Sequence, residues 1–159
     1  MPRRAGRCWW WRSTARWSET LRELLETHAR EHAACTLATS VLPEPGRYGR
    51  VVRDADGEVA GIVEYLDADE AQREIREVNV SLYCFDADAL RSVLDRLSNE
   101  NAKGEYYLTD AVELLRRDGR KLAAVAAVEP EDVLSVNTDE ELREVERIMK
   151  TRDRRGARS

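Results

Sequence analysis

No stretch of this sequence approaches the roughly 20 consecutive apolar residues of a membrane-spanning helix. Its start, MPRRAGRCWWWR, is basic but lacks the apolar segment and small-residue cleavage site of a secretory signal. The expected localisation is therefore cytoplasmic. A basic surplus is missing too: 26 Lys and Arg stand against 31 Asp and Glu, a formal net charge of −5. That balance argues against nucleic acid or an anionic membrane as partner, because neutralising phosphates takes excess positive charge. The three cysteines, Cys8, Cys35 and Cys84, are an odd count without CxxC spacing. They read as buried thiols rather than disulfides or metal ligands. His28 and His32 stand i, i+4 on an expected helix, a spacing that can hold a metal. No third ligand accompanies them, and a solvated helix face is the plainer reading. Neither a GxGxxG nor a GxxxxGK[ST] phosphate loop occurs, no Ser or Cys is obviously paired with a His base, and no repeat is visible, a hexapeptide β-helix repeat included.

What is present suits one domain with a real core: 159 residues, 42% of them apolar. Residues 1–17 hold five Arg and four Trp without helical or strand period, and they are expected to be a disordered leader. Leucine and valine codons in GC-rich DNA, read one base out of frame, yield Trp and Arg, which offers an origin for that composition. Regular patterning runs from 18 to 150, and a basic, frayed tail is expected over 151–159. Ser18 is the expected cap of a first helix with Leu21, Leu24, Leu25 and His28 on its inner stripe. A strand from Cys35 to Val41 follows, then a loop with Pro43, Pro45 and Gly46. Arg50–Arg53 and Glu58–Glu64 flank Asp54-Ala55-Asp56-Gly57 as a β-hairpin. Asp67–Arg76 reads as helix, and Val78–Phe85 as a strand with Val78, Val80, Leu82 and Cys84 on one side. Asp86 or Asp88 caps a helix facing inward through Leu90, Val93, Leu94 and Leu97. Thr109 is the expected cap of the next, which carries Val112 and Leu115 and stops at Gly119. Lys121–Val128 reads as a strand covered on both faces, and Thr138 opens a last charged helix to about Lys150. The fold class is thus α/β, a mixed sheet with flanking helices and a hairpin.

Five segments carry a resemblance in order and spacing. They are Leu42–Arg53 (LPEPGRYGRVVR), Ile62-Val63-Glu64, Glu77-Val78-Asn79, Asn99–Asp110 (NENAKGEYYLTD) and Ser135-Val136-Asn137. Together they closely resemble the uridylyltransferase domain of the bacterial bifunctional N-acetylglucosamine-1-phosphate uridyltransferase/glucosamine-1-phosphate acetyltransferase. The resemblance runs from about Glu19 to Glu146 and covers the latter half of that domain, a partial Rossmann-like nucleotidyltransferase fold. It implies a UDP-N-acetylglucosamine or N-acetylglucosamine 1-phosphate pocket. In it Gly49 admits the sugar against the backbone, Glu64 accepts from sugar hydroxyls, Asn79 pairs with the same ligand, and Tyr107 and Thr109 line its acetamido side. Asn137 matches an asparagine that binds Mg²⁺ and a phosphate oxygen. Without the resemblance, Gly49 reads as a loop glycine, Glu64 as a solvated strand end and Asn137 as a helix cap.

The departures set the expectation about activity. The family's Gly-rich loop with its Arg and Lys has no counterpart in these residues, and Arg12 falls about where a metal-binding Asp belongs. Leu66 replaces a usual lysine, Val80-Ser81 a usual Thr-Gly, and Lys103 a usual glutamine. No acetyltransferase β-helix is expected within these residues. The expected function is therefore that of a truncated sugar-1-phosphate nucleotidyltransferase, inactive alone. The alternatives are a non-catalytic interaction module or a sugar-nucleotide binder, completed by a partner chain that supplies the missing half across open sheet edges.

Overall fold

The structure, a computed structural model, describes residues 10–133 and 139–156. The expectations for residues 1–9, Asn137 and Thr138 lie outside them. Helix α1 spans Trp10–Glu31, and strand β1 (Cys35–Val41) follows. Strands β2 (Arg50–Arg53) and β3 (Val59–Val63) form the hairpin, turned at Gly57 with φ +81°. Then come α2 (Glu70–Arg73), β4 (Glu77–Phe85), α3 (Ala87–Leu94), α4 (Thr109–Arg117), β5 (Leu122–Val125), a 3-10 turn at Pro130–Asp132 and α5 (Asp139–Gly156). The five strands make one sheet in the order β3-β2-β4-β1-β5. Among the described strands only the β1–β5 pair is parallel, so the sheet is mixed, as expected.

Helices cover both faces. On one, α3 and α4 press Ala89, Val93, Val112 and Leu115 onto Cys35, Leu37, Val51 and Ile62. On the other, Leu24 of α1 meets Ala38, Val125 and Val128. The alternation of β1 explains the division, with Cys35 and Leu37 facing one way and Ala38 the other.

Several boundaries differ from the sequence reading. Helix α1 begins at Trp10, so Ser18 is an interior residue of it rather than its cap. Residues 10–17 contain neither Pro nor Gly to break a helix. The basic tail is likewise helical to Gly156. In α1, Leu21 and Leu25 are 44% and 57% exposed, while Thr20 and Thr27 are buried beside Leu24. The Thr20 hydroxyl donates to the Ala127 carbonyl at 3.0 Å, which makes a buried threonine affordable there. Helix α2 is a single turn: Asp69 and Gln72 close a capping box, but no side chain is buried to prolong it. Leu94 is exposed and Ala89 takes its place against the sheet. Strand β5 ends at Val125 and lies at a sheet edge, with Val128 still packed in the core.

Candidate functional site

The site grows from the loop that joins β1 to β2. Arg50, 1% exposed, folds that loop around its guanidinium. It donates to the carbonyls of Tyr48, Gly46 (2.8 Å), Arg73 (3.2 Å) and Pro45 (3.4 Å). Among the described residues no carboxylate pairs with it directly; burial pulls its pKa down, against the opposing influence of Tyr65 and Glu74. The Tyr65 ring takes the guanidinium of Arg50 at 5.7 Å, with those of Arg47 and Arg73 also within cation–π range.

This clamp sets Gly49 beside the end of β3. A Cβ on residue 49 would lie 3.3 Å from Ile62 Cγ2 and 3.4 and 3.5 Å from the carboxylate oxygens of Glu64. The glycine therefore serves close approach rather than an unusual dihedral. Its carbonyl accepts from the Asn79 N–H at 2.9 Å, which brings β4 to the same place. Thr109, 6% exposed, donates from Oγ1 to Glu64 Oε1 at 3.3 Å. Thr109 is thus no cap: α4 follows Leu108 without a side-chain cap, and the hydroxyl is spent across the cleft.

Asn79 is 5% exposed and held at both ends of its amide. Its Oδ1 accepts from the Ser81 N–H at 3.1 Å, and its Nδ2 donates to the Tyr83 hydroxyl at 2.6 Å. Ser81, a residue with a side chain, has φ +58°. It lies in a bulge where β4 takes four steps, Asn79 to Tyr83, against two on β1, Leu37 to Thr39.

Tyr107 follows a loop stapled by Asn101. That side chain accepts from the N–H groups of Lys103 and Glu105 and donates to the Glu105 carbonyl. The Ala102 N–H donates to Asp67 at 2.8 Å and ties the loop to the turn after β3. Among the described residues the enclosed Tyr107 hydroxyl has no hydrogen-bond partner, and burial together with the nearby Asp67 and Glu64 carboxylates raises its pKa. Glu64, Asp67, Tyr107, Asp110 and Glu113 line one cleft of about 690 Å³. Burial, then the charges of Glu113, Asp67 and Glu64, push the Asp110 carboxyl above its usual range.

Four of the expected site residues, Gly49, Glu64, Asn79 and Thr109, are thus joined by contacts, and Tyr107 shares the cleft with Glu64. Asn137 lies outside the described residues. Sequence reasoning missed Arg50 and Tyr83. The Tyr-Gly-Arg run signals the first; nothing local signals the second, whose role comes from the bulge. His28 shares a hydrogen bond with Thr36 Oγ1 at 3.0 Å, and Cys35 and Cys84 are free thiols. Burial pushes the interior Cys35 thiol up to about 12 and raises Cys84 also, although Cys84 is only half-buried. Among the described residues no group of three or more His, Cys, Asp or Glu is placed to hold a metal, and no helix is long and apolar enough to cross a membrane.

Residues 15–148 match the nucleotidyl transferase family. Among curated relatives, the bifunctional protein GlmU of Brevibacillus brevis is 47% identical over 133 residues, 84% of this chain and 29% of that protein. GlmU of Clostridium perfringens is 45% identical over 135 residues, 85% of this chain and 29% of the relative. The Thermobifida fusca GlmU is 47% identical over 133 residues, 84% and 28% of the two chains. The chain thus spans less than a third of the length of these relatives.

Proposed function

Because the chain belongs to the nucleotidyl transferase family, we propose that its cleft is the sugar-binding half of a UDP-N-acetylglucosamine pyrophosphorylase-type site. The reaction class is sugar-1-phosphate nucleotidyl transfer: UTP and N-acetylglucosamine 1-phosphate give UDP-N-acetylglucosamine and pyrophosphate. The observation that supports this reading best is the convergence of Gly49, Glu64, Asn79 and Thr109 from four separate segments. A carboxylate against a bare glycine backbone, flanked by an amide and a hydroxyl, suits a polyhydroxylated ring: acceptors and donors alternate, and no side chain fills the approach. On this reading residues 18–150 are the sugar-binding portion.

Within that cleft the chain's own residues bind and orient. Glu64 accepts from ligand hydroxyls, Thr109 holds one of its oxygens in place, and the partnerless Tyr107 hydroxyl offers a donor. Mg²⁺ would neutralise phosphate charge in such a reaction. The donor set here does not fit it: Arg12 stands where an acid is expected, and Asn137 alone is one neutral amide. The chain by itself is a sugar-nucleotide binder without turnover.

Incubated with UTP, N-acetylglucosamine 1-phosphate and Mg²⁺, the purified chain should release no pyrophosphate, while UDP-N-acetylglucosamine should raise its melting temperature. Steady Mg²⁺-dependent pyrophosphate release that disappears in Asn137→Ala would overturn the inactivity; no thermal shift would overturn the binding.

One observation favours a second reading, a module completed by another chain. Strand β2 meets β4 only at Arg50 and Val78, so among the described residues the outer edge of β4 from Val80 to Phe85 has no strand beside it. Co-elution with a separately produced Gly-rich polypeptide, followed by pyrophosphate release from the mixture, is the expected result of that reading.

A further inference from the structure

Asn79 is almost fully buried, and a buried primary amide has two orientations that differ only in which end donates. Here the choice is forced. The Ser81 N–H can only donate, so Oδ1 must face it, and Nδ2 is left toward Tyr83. The Ser81 N–H reaches Oδ1 from a left-handed residue in a bulge, a conformation that L-residues with a side chain adopt at a penalty. The Tyr83 ring is fixed in turn: it packs against the α3/α4 core and lies 5.6 Å from the Phe85 ring.

We infer that Tyr83 and the left-handed turn at Ser81 form an orienting device for Asn79, with Tyr83 a positioning residue of the proposed sugar pocket. The inference rests on the reading of the pocket given above. Nδ2 carries two hydrogens and Oδ1 two lone pairs, of which Tyr83 and Ser81 each take one. The remaining donor and acceptor are held in a fixed sense, so a ligand meets a preset pair instead of an amide free to flip. Burial pushes the Tyr83 phenol up to about 12, against the lowering effect of the Asn79 hydrogen bond, so it remains a neutral acceptor through the physiological range.

The test is NMR of the Asn79 side-chain NH₂ group in the full chain, assigned by its loss in Asn79→Asp. In the wild type its two protons should be resolved and exchange slowly with water. In Tyr83→Phe, exchange should quicken about tenfold or more as the buried donor loses its acceptor. UDP-N-acetylglucosamine should also bind Tyr83→Phe about tenfold more weakly. Equal exchange in the two proteins overturns the inference. Should Tyr83→Phe fail to fold, the wild type still decides: fast-exchanging, averaged Asn79 protons contradict a held amide. Failure of the pocket reading looks different, because the wild type then shows slow exchange but no response to the sugar nucleotide.

Discussion

Thr109 Oγ1 lies 3.3 Å from Glu64 Oε1, joining the first residue of α4 to the end of β3. The carboxylate that the proposed pocket would offer to a ligand is therefore already oriented from the protein side. Thr109→Val keeps the shape and removes the donor. Stability should fall by only about 0.5–1 kcal/mol, the usual worth of one hydrogen bond. Affinity for UDP-N-acetylglucosamine should fall several-fold, because Glu64 loses its fixed rotamer. Calorimetric titration and thermal melting of the same variant separate the two effects.

Arg50 should be the most sensitive residue of the loop. Its fork reaches the carbonyls of Gly46, Tyr48 and Arg73 from a fully buried position. Lysine keeps the charge but cannot span them. Arg50→Lys is expected to cost about 2–3 kcal/mol, through carbonyls left without partners. That is a fall in melting temperature of roughly 4–12 °C for a chain of this size.

Asp110 supplies the pH dependence. Its carboxyl is raised above its ordinary range by burial and by Glu113, Asp67 and Glu64. A carboxyl raised in the folded state favours folding most below its unfolded pKa, and that contribution is lost as pH rises through the folded value. Asp110→Asn should therefore melt a few degrees higher than wild type at pH 7, with the difference shrinking toward pH 3. Melting curves across that range check it.

Ser81 should be improvable. Glycine adopts φ near +58° without the penalty a Cβ brings, so Ser81→Gly should gain about 1 kcal/mol by chemical denaturation. The Asn79 amide should stay in place, since the Ser81 N–H that holds it is a backbone group.

The architecture was largely legible in the residues. The β1 alternation, the Asp54–Gly57 hairpin and the Asp86 cap of α3 each rest on local chemistry, and each stands in the fold. What was not legible depends on distant partners. Thr20 and Thr27 displaced Leu21 and Leu25 from the inner face of α1, Thr20 finding a carbonyl 107 residues away in sequence. Thr109 looked like a cap because the residue type suits one; only the fold puts Glu64 within its reach. In the site, the glycine, acid and amide could be named from their segments. The bulge that sets Tyr83 against Asn79 could not, since a two-residue register shift leaves no periodic mark.

Isothermal titration of UDP-N-acetylglucosamine into the wild-type chain and into Glu64→Ala tests the pocket most directly. The expected result is one saturable site in the wild type, weakened at least tenfold in Glu64→Ala while the variant's melting curve stays cooperative. Equal affinity in the two proteins, or no binding heat in the wild type at several temperatures, would contradict it.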